Sequence, residues 1–280
     1  MEIRYSTGVR DFARYNTKEA REEFLVTDLY KADEVKAVYS HIDRMVTLGC
    51  MPVNETVLIE KGMDVYANFG TKFFLERREL GMFNIGGPGI VTADGEQFKL
   101  DYKDCLYITR GTVNISFESM DAKNPAKFYM VSAPAHQTFE SKLITLADAA
   151  KNPMGNTEAA NKRVIYQFIH PDVLKTCQLM MGLTSLEKGN VWNTMPAHTH
   201  ERRMEIYTYF EIPAGNVVFH LMGAPSETRH IVMKNEDAVI SPSWSIHSGC
   251  GTTNYSFIWA MGGENQEFND MDVIPTTDLK

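Results

Sequence analysis

Apolar residues in this chain gather in short runs, each closed by a turn residue. Gly89–Thr92 runs into Asp94-Gly95, Asp104–Thr109 into Gly111, Val217–Met222 into Gly223, and Tyr255–Trp259 into Gly262-Gly263. Runs of this length with such punctuation predict β-strands. Asp94-Gly95 is a hairpin signal, because both residue types tolerate positive φ. Helical signals are few. Asn16-Thr17-Lys18-Glu19 has the form of a capping box and predicts a short helix over Ala20–Leu25. The polar stretch from Thr145 to Arg163 holds Asn152-Pro153 and Gly155-Asn156, and predicts a linker with one helical turn. Gly86-Gly87-Pro88-Gly89 predicts a turn, since no strand–helix phosphate-loop pattern surrounds it. The whole pattern predicts an all-β fold of sandwich or barrel type with few short helices.

The chain also echoes itself. Glu76-Arg77-Arg78 recurs as Glu201-Arg202-Arg203, an offset of 125, and Asp104–Ile108 recurs as Asp237–Ser241, an offset of 133. Two ordered matches with nearly conserved spacing predict one β domain used twice. The expected domains are 1–150 and 151–280, with the join in the polar stretch.

Composition narrows the function. Lys and Arg number 28 against 36 Asp and Glu, giving a net charge of −8 over 280 residues, which excludes broad nucleic-acid binding. No apolar run approaches the ~18–20 residues of a membrane-spanning helix, and Met1–Ser6 lacks the apolar run of a signal peptide. Cys50, Cys105, Cys177 and Cys250 are widely spaced with no CxxC, so they read as reduced thiols of a cytoplasmic protein.

Candidate chemistry concentrates in Met195-Pro196-Ala197-His198-Thr199-His200-Glu201-Arg202-Arg203-Met204-Glu205. His198 and His200 are two apart and share a strand face. Glu205 lies an odd number of residues beyond His200, so it joins them only if the chain bends near Glu201–Arg203; beyond that bend Glu205, Tyr207 and Tyr209 share a face. His247, within Ile240-Ser241-Pro242-Ser243-Trp244-Ser245-Ile246-His247, is the fourth candidate. Three imidazoles and a carboxylate suit a divalent metal with open coordination positions. HxHx4E followed by a later His resembles the two-part cupin motif, whose fold is a double-sheet jelly roll.

The repeat places Phe73, Leu75, Leu80 and Asn114 opposite His198, His200, Glu205 and His247, so the N-terminal copy is expected to lack a metal site. Arg202 and Arg203 face Arg77 and Arg78 in that copy, which points as much to a shared structural role as to substrate contact. Tyr207 and Trp244 have no such counterparts and are candidates for a functional pocket. His41, His220 and His230 read first as structural histidines.

At this level of detail the chain resembles the 4-deoxy-L-threo-5-hexosulose-uronate ketol-isomerase family. The resemblance rests on the Thr194–Glu205 run, Phe74–Gly81, Tyr39–Arg44, Glu227–Met233, Ile240–His247 and Gly263-Glu264-Asn265-Gln266, which span nearly the whole chain. It implies two tandem cupin domains, a Zn2+ ion on His198, His200, Glu205 and His247, a cytoplasmic hexamer, and a small anionic sugar-acid substrate. The implied reaction interconverts 5-dehydro-4-deoxy-D-glucuronate and 3-deoxy-D-glycero-2,5-hexodiulosonate in pectin breakdown, by an enediol or a hydride-shift route. Glu205, Tyr207 and His230 are candidate bases, and Arg163, Arg202 and Arg229, with Trp244, are candidate substrate contacts. Two other readings stay open: an iron-dependent cupin oxygenase with a similar ligand set, and a non-enzymatic sugar-acid-binding double cupin.

Overall fold

Two burial rhythms run through the computed structural model, which describes residues 1–280. Gly89–Ala93 alternates buried and half-buried side chains, the period-two signature of a strand with one face on a core. Arg78–Asn84 and Arg203–Phe210 are buried at every position and lie inside their sheets. The chain divides into two compact units, one built from residues 1–4, 28–150 and 168–180, the other from 5–27, 151–167 and 181–280.

In the first unit a seven-stranded sheet runs Glu2–Arg4, Val35–Ser40, Val46–Cys50, Phe128–Pro134, Arg78–Asn84, Cys105–Ile108, Lys142–Ile144. A four-stranded sheet runs Val57–Leu58, Ile115–Ser119, Gly89–Ala93, Glu96–Leu100. One apolar core joins them: Leu48, Leu80, Met82 and Leu106 from the larger sheet meet Val57, Val91, Leu100 and Phe117 from the smaller. This sheet-on-sheet arrangement is the jelly-roll architecture.

The other unit repeats the plan. Its seven-stranded sheet runs Ala150–Met154, Arg163–Ile169, Met180–Leu186, Ser256–Gly263, Arg203–Phe210, Ala238–Ser241, Leu25–Val26. Its four-stranded sheet runs Trp192–Asn193, Ser248–Gly251, Val218–Ala224, Glu227–Met233. The repeat extends to register: Leu80 pairs with Ile108 in one unit and Glu205 with Ser241 in the other, matching both sequence offsets. The Glu205 position, apolar and in the core of the first unit, is a carboxylate in the second.

The local expectations largely hold. Ala93 pairs with Glu96 around Asp94 (φ 46°) and Gly95 (φ 91°), a hairpin turn with both central residues left-handed. Asn16 caps the helix Thr17–Phe24, accepting from Lys18 N–H at 2.9 Å and Glu19 N–H at 3.1 Å, while the Glu19 carboxylate accepts from Asn16 N–H at 2.7 Å. The stretch 145–163 departs from its expectation. It does hold one helical turn, with Ala149 N–H donating to the Thr145 carbonyl at 3.2 Å, but instead of running on as a linker it contributes the exposed strand Ala150–Met154 at a sheet edge, where Pro153 can sit because an edge strand leaves N–H groups unpaired anyway. No helix is long and apolar enough to cross a membrane, and all four cysteines are free.

Candidate metal centre and cavity

The bend required by the odd His200–Glu205 spacing is present. His198–Thr199 forms a short strand paired with Asp272–Val273. The chain then turns at Glu201-Arg202, with Arg203 N–H donating to the His200 carbonyl at 3.3 Å, before the strand Arg203–Phe210 begins. Two strand neighbours, Ala238–Ser241 and Ser256–Gly263, hold that strand and with it Glu205. His247 comes from the opposite sheet, just before Ser248–Gly251.

These elements gather the donor atoms of His198, His200, Glu205 and His247 within 4.8 Å of one another. Oε2 of Glu205 lies 3.2 Å from Nε2 of His200 and 2.9 Å from Nε2 of His247, which is 2.9 Å from Nε2 of His198. The other side of His200 fixes its tautomer: Nδ1 is 2.9 Å from the Arg203 carbonyl, which only accepts, so Nδ1 carries the proton. Nδ1 of His247 likewise faces the Ser245 carbonyl at 3.4 Å. Both Nε2 atoms therefore turn lone pairs toward a carboxylate oxygen at close range, an arrangement that repels unless a cation lies between. The spacings near 3 Å also match the edge of a polyhedron with metal–ligand bonds of about 2.0–2.2 Å. The residues thus fit a divalent ion.

The electrostatics prepare the same state. Burial, with a smaller contribution from His247, lowers the pKa of His198 to about 2 and keeps it neutral. Burial pushes the Glu205 carboxyl up, but positive charge on the adjacent imidazoles of His247 and His200, when they are protonated, outweighs it and holds the group below the ordinary carboxylate range; with neutral imidazoles a bound cation would supply that charge in their place.

A cavity of about 400 Å³ opens onto the cluster. Trp259, Phe257 and Phe268 give it an aromatic wall, and Arg163, Thr194 and Tyr207 supply polar groups. The Tyr207 hydroxyl is 3.0 Å from that of Thr194, and burial raises its pKa well above the usual phenol value. Arg163 donates once, to the Asn161 carbonyl at 2.8 Å. Behind Tyr207, the fully buried His220 joins the Tyr209 hydroxyl (2.8 Å) to the Ser241 hydroxyl (3.2 Å), and burial lowers its pKa to about 3.

Of the residues singled out in the sequence, the structure brings His198, His200, Glu205, Tyr207 and Arg163 to the lining of this cavity, with His247 completing the cluster behind them. It places four others outside the lining. Arg202 is taken up by Asp270 and Asp272. Arg229 donates to the Ala13 carbonyl and pairs with Glu227 at 3.1 Å. His230 is exposed on an edge strand, its ring 5.7 Å from Phe219. Trp244 packs 5.6 Å from Phe12. Each had a local sequence context suggesting chemistry, and each has a structural partner that the local context could not show. Thr194, Trp259 and Phe268 were not singled out. Thr194 stands beside the HxH run, a usable signal, whereas Trp259 and Phe268 reach the site only through the fold.

Paired jelly-roll sheets repeated twice, with a three-histidine, one-carboxylate cluster in one unit, define a two-unit cupin protein. The fold is similar to an IolB-like protein of Salmonella typhimurium LT2 (TM-score 0.67, 13% identity, 90% of this chain and 96% of that one). It is also similar to an oxalate decarboxylase of Lactobacillus farciminis (TM-score 0.57, 12% identity, 83% and 82%). The chain belongs to the KduI/IolB family, which it matches over residues 25–275. Relatives named 4-deoxy-L-threo-5-hexosulose-uronate ketol-isomerase are 52% identical in Lachnoclostridium phytofermentans and 48% identical in Caldicellulosiruptor bescii, over 100% of both chains in each case.

Proposed function

We propose that the chain is a ketol-isomerase that converts 5-dehydro-4-deoxy-D-glucuronate to 3-deoxy-D-glycero-2,5-hexodiulosonate, moving a carbonyl between adjacent carbons of an open-chain sugar acid. The observation that carries this reading is end-to-end identity of 48–52% with relatives bearing that isomerase name.

His198, His200, Glu205 and His247 would hold the metal, and their nitrogen-rich donor set supports zinc. When bound, zinc supplies a Lewis acid that polarises the oxygens of the reacting carbons. Arg163 offers a planar guanidinium with uncommitted donors, matched to the substrate carboxylate. Tyr207 presents a hydroxyl at the cavity wall, and Glu205 and Tyr207 are lining groups able to hold or pass a proton. Trp259, Phe257 and Phe268 exclude water and pack against the deoxygenated carbon of the chain. The family resemblance further supports a cytoplasmic hexamer acting in pectin breakdown.

The test is an isomerase assay on the purified protein combined with elemental analysis. Activity with about one zinc per chain is expected, and His198→Ala should lose both; full zinc and full activity in that variant would overturn the site. Running the reaction in deuterated water separates the routes. Deuterium on the carbon that gains hydrogen marks proton transfer through an enediol, and its absence marks a hydride shift.

A further inference from the structure

Ten non-glycine residues in this chain have positive φ, and Thr194, at 47°, is the only β-branched one. A β-branched side chain is the least suited to this conformation, because its second branch crowds the backbone. Such strain persists where the surroundings over-determine it, and it clusters at functional sites. Here the strained residue directs its hydroxyl to 3.0 Å from the hydroxyl of Tyr207, and both residues line the cavity that holds the ligand cluster.

The direction of that hydrogen bond matters. Tyr207 has one O–H, and if Thr194 accepted it the cavity would receive none. The Thr194 hydroxyl has no other partner than Tyr207, so its own proton is available to donate. Donation from Thr194 fills an acceptor position on the phenol oxygen and leaves the Tyr207 O–H aimed at whatever occupies the cavity. The ring cannot swing away, since it is packed 4.6 Å from Phe257 and 5.5 Å from His247.

We propose that Thr194 is a positioning residue: its hydroxyl donates to the oxygen of Tyr207 and turns the Tyr207 O–H toward the substrate oxygens between which the carbonyl moves. The inference rests on the ketol-isomerase reading. It assigns Tyr207 the part of a hydrogen-bond donor and gives the strained backbone at Thr194 a reason to exist.

Four variants test it by steady-state isomerase kinetics: Thr194→Val, Thr194→Ser, Tyr207→Phe and the double variant Thr194→Val/Tyr207→Phe. Thr194→Val keeps the branched shape without the hydroxyl and is expected to lower kcat about tenfold or more with KM changed by less than about twofold. Thr194→Ser, which keeps the hydroxyl, should restore kcat to within about threefold of wild type. The double variant should be no slower than Tyr207→Phe alone, because Thr194 acts through Tyr207. Wild-type kcat in Thr194→Val, an equal loss in Thr194→Ser, or multiplying losses in the double variant would each overturn the proposal. If Thr194→Val does not fold, Thr194→Gly takes its place. That variant relaxes the backbone, and should melt no lower than wild type while remaining slow; a fast Thr194→Gly overturns the proposal equally. A wild-type protein without isomerase activity sinks the ketol-isomerase reading and this inference together, whereas an active wild type with an equally active Thr194→Val sinks the inference alone.

Discussion

A methyl group added at Gly182 would lie 2.1 Å from Cζ2 of Trp259 and 2.4 Å from the Tyr166 carbonyl oxygen. The missing side chain is therefore what lets the Trp259 ring form the cavity wall. Gly182→Ala should cost about 1–3 kcal/mol through overpacking and raise KM by displacing the indole, measurable by urea denaturation alongside kinetics. Arg163→Met should raise KM for the sugar acid about 10- to 100-fold, the worth of a charge-assisted contact, and should leave metal content unchanged. His220 carries a pH dependence. Burial lowers its pKa to about 3, whereas an unfolded histidine titrates near ~6.5. Below pH ~6.5 the unfolded chain binds a proton that the folded chain refuses, so stability is lost as pH falls from there toward about 3, at up to about 1.4 kcal/mol per pH unit. His220→Gln should flatten the stability–pH slope in that window by about one proton; an unchanged slope would refute the assignment. At this scale the sequence showed what spacing encodes. His198, His200 and His247 stood out because their types and intervals are uncommon. Trp259 and Phe268 look like any core aromatic, and only tertiary contact brings them to the cavity.

Among elements, buried polar groups anchor loops that the sequence left undefined. Glu79, fully buried in the strand Arg78–Asn84, accepts from the N–H groups of Cys177, Gln178 and Leu179 at 2.8, 2.9 and 2.9 Å and from the Tyr107 hydroxyl at 2.9 Å. Glu79→Gln turns an acceptor into a donor facing donors and should cost about 2–3 kcal/mol; a loss under about 0.5 kcal/mol in chemical denaturation would show that the clamp is dispensable. Arg203 does similar work next to the ligands. Buried and aligned with Arg78 by the repeat, it donates to the carbonyls of Glu267, Phe268 and Asp270 and so fixes the loop that carries Phe268 into the cavity lining. The doubled Glu-Arg-Arg was therefore legible as a repeat, and its structural role follows from the carbonyls each arginine finds, those of Arg44 and Ser132 in the case of Arg78. The bend before Glu205 was legible too, because parity along a strand is a geometric constraint. The strand Ala150–Met154 was not, because an exposed edge needs no apolar alternation and its polar residues look like a linker.

For the whole molecule, the two jelly rolls differ in what fills equivalent positions. Leu80 and Met82 pack in an apolar core where the other unit presents Glu205 and Tyr207. A core is stabilised by such apolar burial, whereas a cluster of facing lone pairs is stabilised by a cation. Removing the metal with a chelator should therefore lower the melting temperature, and restoring it should raise the temperature again in proportion to the logarithm of free ion. An unchanged melting curve would show that nothing binds the cluster.

The strand Leu25–Val26 closes the larger sheet of the unit that carries the three-histidine, one-carboxylate cluster by pairing with Val239 and Ala238. On the ribosome it is made early, and its partner appears 212 residues later (238 − 26). At about 5–20 residues per second, that is a wait of roughly 10–40 s. During that interval Phe12, Phe24, Leu25 and Val26, all buried at the end, have no finished unit to enter. The nascent chain therefore holds a sticky amino-terminal segment throughout synthesis of the intervening barrel. A chaperone that shields apolar segments during translation would act on this protein at the segment from Phe12 to Val26, and the barrel carrying the histidine cluster cannot complete its sheet until the strands of the carboxy-terminal third have emerged.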